Sequence, residues 1–300
     1  RVTVAMALKQ IYKTSLALLT DLYQLTMAFG YWKTGTLHKE AIFHFSFREP
    51  PFKGGFTVVA GLQDLTDYIS NFKYQKEDLD YLSTLKTKSD KPLFEPEFLK
   101  YLEQLKLQVS IDSMPEGTIA FPHEPIVRVQ GNLLECQLLE TALLNFYNFQ
   151  SLIATKAARV CLAAEKDSVL EFGLRRAQGI DGALSASRAA YLGGSFATSN
   201  VLAGKIYNIP VLGTHAHSWV MSFDSEREAF EKYSEAMPEN CIFLVDTYDT
   251  ISGIKEAIRV GKKLKEEGYE FSGIRLDSGD FAYLSQKARA MLDEAGFFGT

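Results

Sequence analysis

The segment Gly213-Thr214-His215-Ala216-His217-Ser218 carries two histidines two positions apart. On an extended backbone such residues point to the same side, so one reading is a His-x-His metal site completed by Asp246 or Asp277. A metal site normally takes about three protein ligands or more, and the other histidines, His38, His44 and His123, all precede this region. A second reading has the pair only capping the following helix. The favoured one is a single nucleophilic or phosphate-accepting histidine held by Asp246, because a carboxylate fixes the tautomer and increases nucleophilicity. In Gly173-Leu174-Arg175-Arg176 the guanidinium forks suit a carboxylate or phosphate; otherwise they pair with Glu171 or another acid. The carboxylates of Asp277-Ser278-Gly279-Asp280 suit sugar hydroxyls, magnesium or a developing positive charge. The same four residues also make an ordinary turn and helix cap.

These groups share a position in the chain's grammar. Each follows a short apolar run: Ser168–Phe172, Ile209–Leu212, Cys241–Val245 and Phe271–Leu276. Continuously apolar strands alternating with helical patterns predict a parallel sheet covered on both faces, hence a barrel or a doubly wound sheet. Ligands of such folds bind at the carboxyl ends of the strands. Arg, His, Asp and Asp at successive strand ends therefore point to one active site and to an enzyme.

The first half of the chain mixes periods. Leu22, Leu25, Phe29 and Trp32 recur at helical spacing after the capping candidates Thr20 and Asp21, and Gly35 closes the segment. Ala41, Phe43, Phe45 and Phe47 alternate as in a strand, Val58–Phe72 reads as a helix, and Val109–Gln130 reads as short strands broken by prolines and glycines. Two helices split near Gln150 are expected between Leu133 and Ala164. The resulting organisation is an α+β domain over 1–150 and an α/β domain over 151–300.

Composition limits the function classes. The 300 residues are 46% hydrophobic and 23% charged, ordinary for a folded globular protein. A formal charge of -5 argues against a nonspecific nucleic-acid or anionic-membrane binder. The 3 cysteines, Cys136, Cys161 and Cys241, lie far apart in apolar runs and read as packing thiols of a reducing compartment. Charged residues interrupt every run before it reaches the roughly 18 residues of a membrane span. Arg1–Gln10 contains no apolar core followed by a cleavage site, so a cytoplasmic location is expected. There is no G-x-x-x-x-G-K-[ST], and Leu192-Gly193-Gly194-Ser195 completes no dinucleotide fingerprint.

Five segments in order, Leu19-Thr20-Asp21-Leu22-Tyr23-Gln24, Glu171-Phe172-Gly173-Leu174-Arg175-Arg176-Ala177-Gln178, Ala197-Thr198-Ser199-Asn200-Val201, Gly213–Ser218 and Ile274–Asp280, together resemble the nicotinate phosphoribosyltransferase family. The resemblance implies a type II phosphoribosyltransferase fold, an N-terminal α+β domain followed by an irregular α/β barrel, paired head to tail in a homodimer with shared active sites. It implies the joining of nicotinate to 5-phosphoribosyl 1-diphosphate, coupled to ATP hydrolysis through a phosphohistidine, with Mg2+ accompanying the diphosphate and ATP. By the same resemblance His217 is the phosphohistidine, with Asp246 orienting it. Arg175 lies near nicotinate and the ribosyl phosphate, Phe172 stacks on the pyridine ring, and Tyr23 covers the other ring face across the dimer. Thr214 and Ser199 neighbour the nicotinate carboxylate, and Asp277 and Arg275 contact the ribose side. Members of the family run beyond this chain's last residue, and 4 apolar runs are too few for a barrel that normally closes with about eight strands. The barrel is therefore expected to be present only in its first part. The competing readings are a metal-dependent α/β-barrel hydrolase using His215, His217 and Asp277, and a truncated, non-catalytic ligand-binding subunit.

Overall fold

The computed structural model describes residues 11–300, so the reading of Arg1–Gln10 lies outside the described residues. The chain forms two compact units, one ending at Leu212 and the other spanning Gly213–Thr300.

In the first unit, α1 (Leu22–Lys33) follows Asp21 as its N-cap, and β1 (Glu40–Phe45) alternates as its sequence predicts, ending with Phe45 buried. After β2 (Thr57–Val58) come α2 (Leu62–Ser70), α3 (Lys76–Thr84) and α4 (Pro96–Gln104). Strands β3 (Ser110–Ser113), β4 (Ile119–Ala120) and β5 (Val127–Asn132) complete two antiparallel sheets, ordered β1-β5-β3 and β2-β4. Helices α5 (Leu133–Leu138) and α6 (Glu140–Ala164) cover them. Phe45, Val127 and Val129 of the larger sheet meet Leu143, Phe146 and Tyr147 of α6 in one core.

The helix expected from Val58 starts later. Thr57 and Val58 pair with β4, and Gly61, at φ 120°, turns the chain into α2 where an added Cβ would stand 2.8 Å from the Phe146 carbonyl. The helix break expected near Gln150 is also absent, and α5 gives way to α6 at Leu139 instead. Gln150, with Ser151 and Thr155 after it, is polar within this helix, yet all three are buried and bonded. Ser151 Oγ accepts from the Ala60 N–H and donates to its carbonyl, both at 3.0 Å, and Thr155 Oγ1 accepts from the Val58 N–H at 2.8 Å. These side chains finish the backbone bonding of β2 and its extension, which a buried strand requires.

The unit then changes to parallel pairing. β6 (Leu170–Glu171) is followed by α7 (Gly179–Leu192), β7 (Ala197–Thr198) and α8 (Val201–Tyr207), and β6 and β7 run parallel. The strand expected over Ile209–Leu212 shrinks to one parallel bridge from Val211 to Thr198, while β7 occupies a stretch that has no strand pattern of its own. Two residues are too few to show a period.

In the second unit, α9 (His217–Val220) and α10 (Glu226–Ala236) precede β8 (Ile242–Leu244), α11 (Thr250–Glu266), β9 (Gly273–Arg275) and α12 (Phe281–Glu294). β8 and β9 pair in parallel, as their continuous apolar runs require. Phe243 of β8 stacks on Phe230 of α10 at 4.7 Å and on Phe271 at 5.5 Å, with Ile254, Ala257 and Val260 of α11 closing the core. At Gly253 an added Cβ would lie 2.1 Å from the Val245 carbonyl, so α11 seats directly against the carboxyl end of β8. Asp249 caps α11 and Asp280 caps α12, each accepting a backbone N–H. The residues between strand and cap are thereby held short and fixed. The fold is mixed α/β, with parallel β6–β7 and β8–β9 pairs and no closed barrel among the described residues.

Candidate active site

On the second unit the structure brings together Thr214, His217, Asp246, Arg275 and Asp277. His217 opens α9, half-buried, with its Nε2 3.4 Å from Asp277 Oδ2 and its Nδ1 3.1 Å from the hydroxyl of Thr247. Arg275, at the end of β9, donates from Nη1 to Thr214 Oγ1 at 2.7 Å and holds Nη2 3.9 Å from the same Asp277 oxygen. One carboxylate oxygen thus lies between an imidazole and a guanidinium.

The contact expected between Asp246 and His217 is replaced by another. Asp246, 8% exposed, turns its Oδ2 to the far side of the loop, where it accepts from the Asp277 N–H at 3.0 Å and the Ser278 hydroxyl at 2.5 Å. Its Oδ1 is buried and bonded to none of the described residues. Asp246 therefore fixes the backbone that carries Asp277, and Asp277 is the carboxylate next to the imidazole. The Asp277–Asp280 segment serves both expected purposes, since its first carboxylate faces His217 while its last caps α12.

His215 points the other way. Its ring is buried, edge-on to Tyr233 at 4.8 Å and near Phe230 and Phe243. Nε2 accepts the Leu244 N–H at 3.3 Å, which leaves the proton on Nδ1, 3.5 Å from the Ala216 carbonyl. Burial, reinforced by Arg275 and His217, lowers its pKa. Both ring nitrogens are engaged, so His215 holds the strand end in place and the His-x-His metal pair does not form. Among the described residues no group of three or more His, Cys, Asp or Glu is arranged to hold a metal ion.

A second acid lies behind this cluster. Burial, with the carboxylates of Asp249, Glu256 and Asp246, raises Glu226 from an ordinary 4.5 to about 7. Its Oε1 has no partner among the described residues. In the window between those two values the folded chain retains a proton that the unfolded chain has released, so stability falls as pH rises. Replacing Glu226 by Gln removes this penalty. Thermal melts should show Glu226→Gln gaining on the wild type as pH rises from about 5 to about 8, with little advantage at the acid end. An advantage that does not change with pH would contradict the raised pKa.

On the first unit a separate set surrounds Glu171. Its Oε2 accepts from Ser187 at 2.9 Å and Thr198 at 2.6 Å, and its Oε1 from the Gly173 N–H. Asn200, capping α8, donates to Ser187, and the Ser199 N–H bonds the Glu171 carbonyl at 2.9 Å. Because Glu171 is fully occupied, it does not pair with the arginines expected beside it. Arg175 and Arg176 lie exposed on a 3-10 turn, with neither guanidinium in an ion pair with a described residue. Phe172 is 42% exposed at the end of β6. Phe172, the two arginines and the half-buried Ser199 follow the paired ends of β6 and β7. Tyr23 is exposed near the start of α1, without a side-chain hydrogen bond to the other predicted residues.

Several functional partners were not assigned from sequence: Thr247, Ser278, Ser187, Thr198 and Asn200. Thr247 and Ser278 each directly follow a flagged aspartate, which was the only available signal. Ser187 lies inside a helix and gives none. The buried thiols are not candidates for nucleophilic chemistry, because burial raises Cys136 and pushes Cys241 up to about 11.

Comparison with known proteins adds independent findings. Residues 18–148 match the nicotinate phosphoribosyltransferase N-terminal domain and residues 168–295 match the nicotinate phosphoribosyltransferase family. The chain is 52% identical over 284 residues to nicotinate phosphoribosyltransferase of Bacillus subtilis, covering 94% of this chain and 56% of that protein. It is 41% identical over 322 residues to the Caenorhabditis elegans protein of the same name, covering 91% and 57%. The crystal structure of human nicotinic acid phosphoribosyltransferase superposes with a TM-score of 0.84 at 37% identity, covering 92% of this chain and 64% of that one. The chain spans a little over half the length of these curated relatives.

Proposed function

Because the chain belongs to the nicotinate phosphoribosyltransferase family, we propose that the complete protein joins nicotinate to 5-phosphoribosyl 1-diphosphate, releasing diphosphate and forming nicotinate mononucleotide, with ATP hydrolysis coupled through a phosphorylated His217. The observation that carries this reading is the cluster of His217, Asp277 and Arg275, an imidazole and a guanidinium sharing one carboxylate oxygen at a strand end.

The residues divide the work. On the first unit Phe172 stacks on the pyridine ring, Arg175 attracts the anionic groups and Ser199 hydrogen-bonds the nicotinate carboxylate. Loss of diphosphate from the ribose leaves oxocarbenium character at C1, which the Asp277 carboxylate stabilises, while Arg275 binds on the ribose side. The pyridine nitrogen then attacks C1. Phosphorylation of His217 adds between one and two negative charges beside Asp277 and Arg275, by analogy with other phosphorylated side chains. Such a charge promotes the reaction only by the difference in affinity it creates between states, so the phosphohistidine form must bind the phosphoribosyl donor better than the unmodified form.

Magnesium fits this donor set as a passenger of the substrates. Asp277 is 55% exposed, its Oδ1 bonded to none of the described residues, and Mg2+ ordinarily takes one or two carboxylates besides substrate phosphates. Bound there, it would neutralise charge on the diphosphate. Tyr23, exposed on α1, is assigned to a homodimer in which it covers the nicotinate of the other subunit. No helix among the described residues is long and apolar enough to cross a membrane. A cytoplasmic location is part of the proposed reading, supported by the three widely spaced cysteines, which suit a reducing compartment.

The test is product formation by the complete protein from nicotinate, 5-phosphoribosyl 1-diphosphate and Mg-ATP, followed by mass-spectrometric location of acid-labile phosphate. Nicotinate mononucleotide together with phosphate on His217 is expected. Stoichiometric zinc, iron or manganese with no transfer would instead favour the barrel hydrolase, and nicotinate binding without turnover the non-catalytic subunit.

A further inference from the structure

The imidazole of His217 has two nitrogens in contact with different kinds of group. Nε2 faces the carboxylate of Asp277 at 3.4 Å, and Nδ1 faces the hydroxyl of Thr247 at 3.1 Å. An ionised carboxylate can only accept, whereas a threonine hydroxyl can donate or accept. A proton on Nε2 makes the first contact, a charge contact, attractive, and the bare Nδ1 then accepts the Thr247 hydroxyl proton. The opposite arrangement would aim the Nε2 lone pair at a carboxylate and gain only the hydroxyl as acceptor. The two neighbours therefore favour one tautomer together.

Thr247 is also well placed to hold that arrangement. It follows β8 by a few residues, immediately after Asp246, whose Oδ2 is tied to the Asp277 N–H and the Ser278 hydroxyl. Two residues later Asp249 caps α11, and Gly253 lets that helix touch the Val245 carbonyl. The loop carrying Thr247 is thus anchored at both ends and on its flank. Asp246, the neighbouring carboxylate, is committed to the Asp277 N–H and the Ser278 hydroxyl.

We infer that Thr247 is a positioning residue for His217, holding the imidazole through Nδ1 in the Nε2–H tautomer with Nε2 turned to Asp277. The inference rests on the proposed function for its catalytic consequence, but the tautomer itself does not. In the complete protein, labelling the histidines with 15N and identifying His217 by its loss in His217→Gln reads the tautomer directly. The wild type is expected to show a protonated Nε2 and a bare Nδ1. In Thr247→Val, which keeps the shape and removes the hydroxyl, the two tautomers should mix, and phosphate labelling of His217 from ATP should slow in proportion to the Nδ1–H fraction. Only a bare Nδ1, once the hydroxyl turns aside, can form the N–P bond as the bond from the γ-phosphorus to the bridging oxygen of ADP breaks, the Nε2–H proton staying beside Asp277. Thr247→Ser should restore both.

A wild type protonated at Nδ1, or a Thr247→Val variant with unchanged ring signals, would overturn the inference, whatever happens to the labelling rate. If the wild type shows the expected tautomer but never takes phosphate, the functional reading fails and the positioning of His217 stands. Should Thr247→Val not fold, Thr247→Ala carries the same readouts.

Discussion

With His217→Ala in the complete protein, phosphate transferred from labelled ATP to the polypeptide is expected to drop to background, and ATP is expected to stop accelerating nicotinate transfer. A slow, ATP-independent transfer should remain. The argument is chemical first: alanine has no nitrogen to accept a phosphoryl group, and His215 cannot substitute, because its Nε2 is occupied by the Leu244 N–H and its ring is buried among Phe230, Tyr233 and Phe243. The substitution should also leave the fold intact. His217 is half-buried at the first position of a short helix, where side-chain loss ordinarily changes stability by about 0.5 kcal/mol. Acid-labile phosphate counted on the purified variant, set beside a thermal melt, separates loss of the acceptor from loss of structure. Phosphate still found on His217→Ala would assign the acceptor to another residue.

How far the sequence could be read depended on what each residue's signal was made of. The alternation through Phe43 and Phe45 and the continuous apolar runs before Asp246 and Asp277 are periodic, and β1, β8 and β9 lie where those patterns put them. The polar residue Gln150 misled because such a residue signals a break only when it meets solvent. Here Ser151 and Thr155 satisfy the backbone at Val58 and Ala60, while Gln150 bonds Asp64 and Arg188, partners scores of residues away. In the site, residue types identified the groups that meet around His217, but not their pairing. Asp246 was a reasonable partner for His217 by type alone. Only the turn that places the Asp277 N–H and the Ser278 hydroxyl over Asp246 Oδ2 decides that it supports the loop instead.

That division of labour makes Asp277 the carboxylate whose charge matters most, and Asp277→Asn tests it with little structural disturbance. Asparagine keeps the side chain's size, and the bond to Asp246 is donated by the backbone N–H of residue 277, which the substitution leaves in place. What changes is the negative charge facing His217 and Arg275 and, in the proposed reaction, the developing positive charge on the ribose. Removing a single preorganised group of this kind typically costs about 10²- to 10³-fold in kcat, or roughly 3–4 kcal/mol. Nicotinate transfer should fall by that order, while ATP should still label His217 with a much smaller slowing, because the acceptor ring and the Thr247 hydroxyl remain although one of the two groups that fix the tautomer has lost its charge. Single-turnover transfer measured beside the rate of histidine labelling distinguishes the two possible routes. Transfer lost with labelling retained places the charge of Asp277 on the ribose chemistry. A parallel loss of both would mean that Asp277 acts through His217, with its carboxylate contributing to phosphorylation and only indirectly to the formation of the nucleotide.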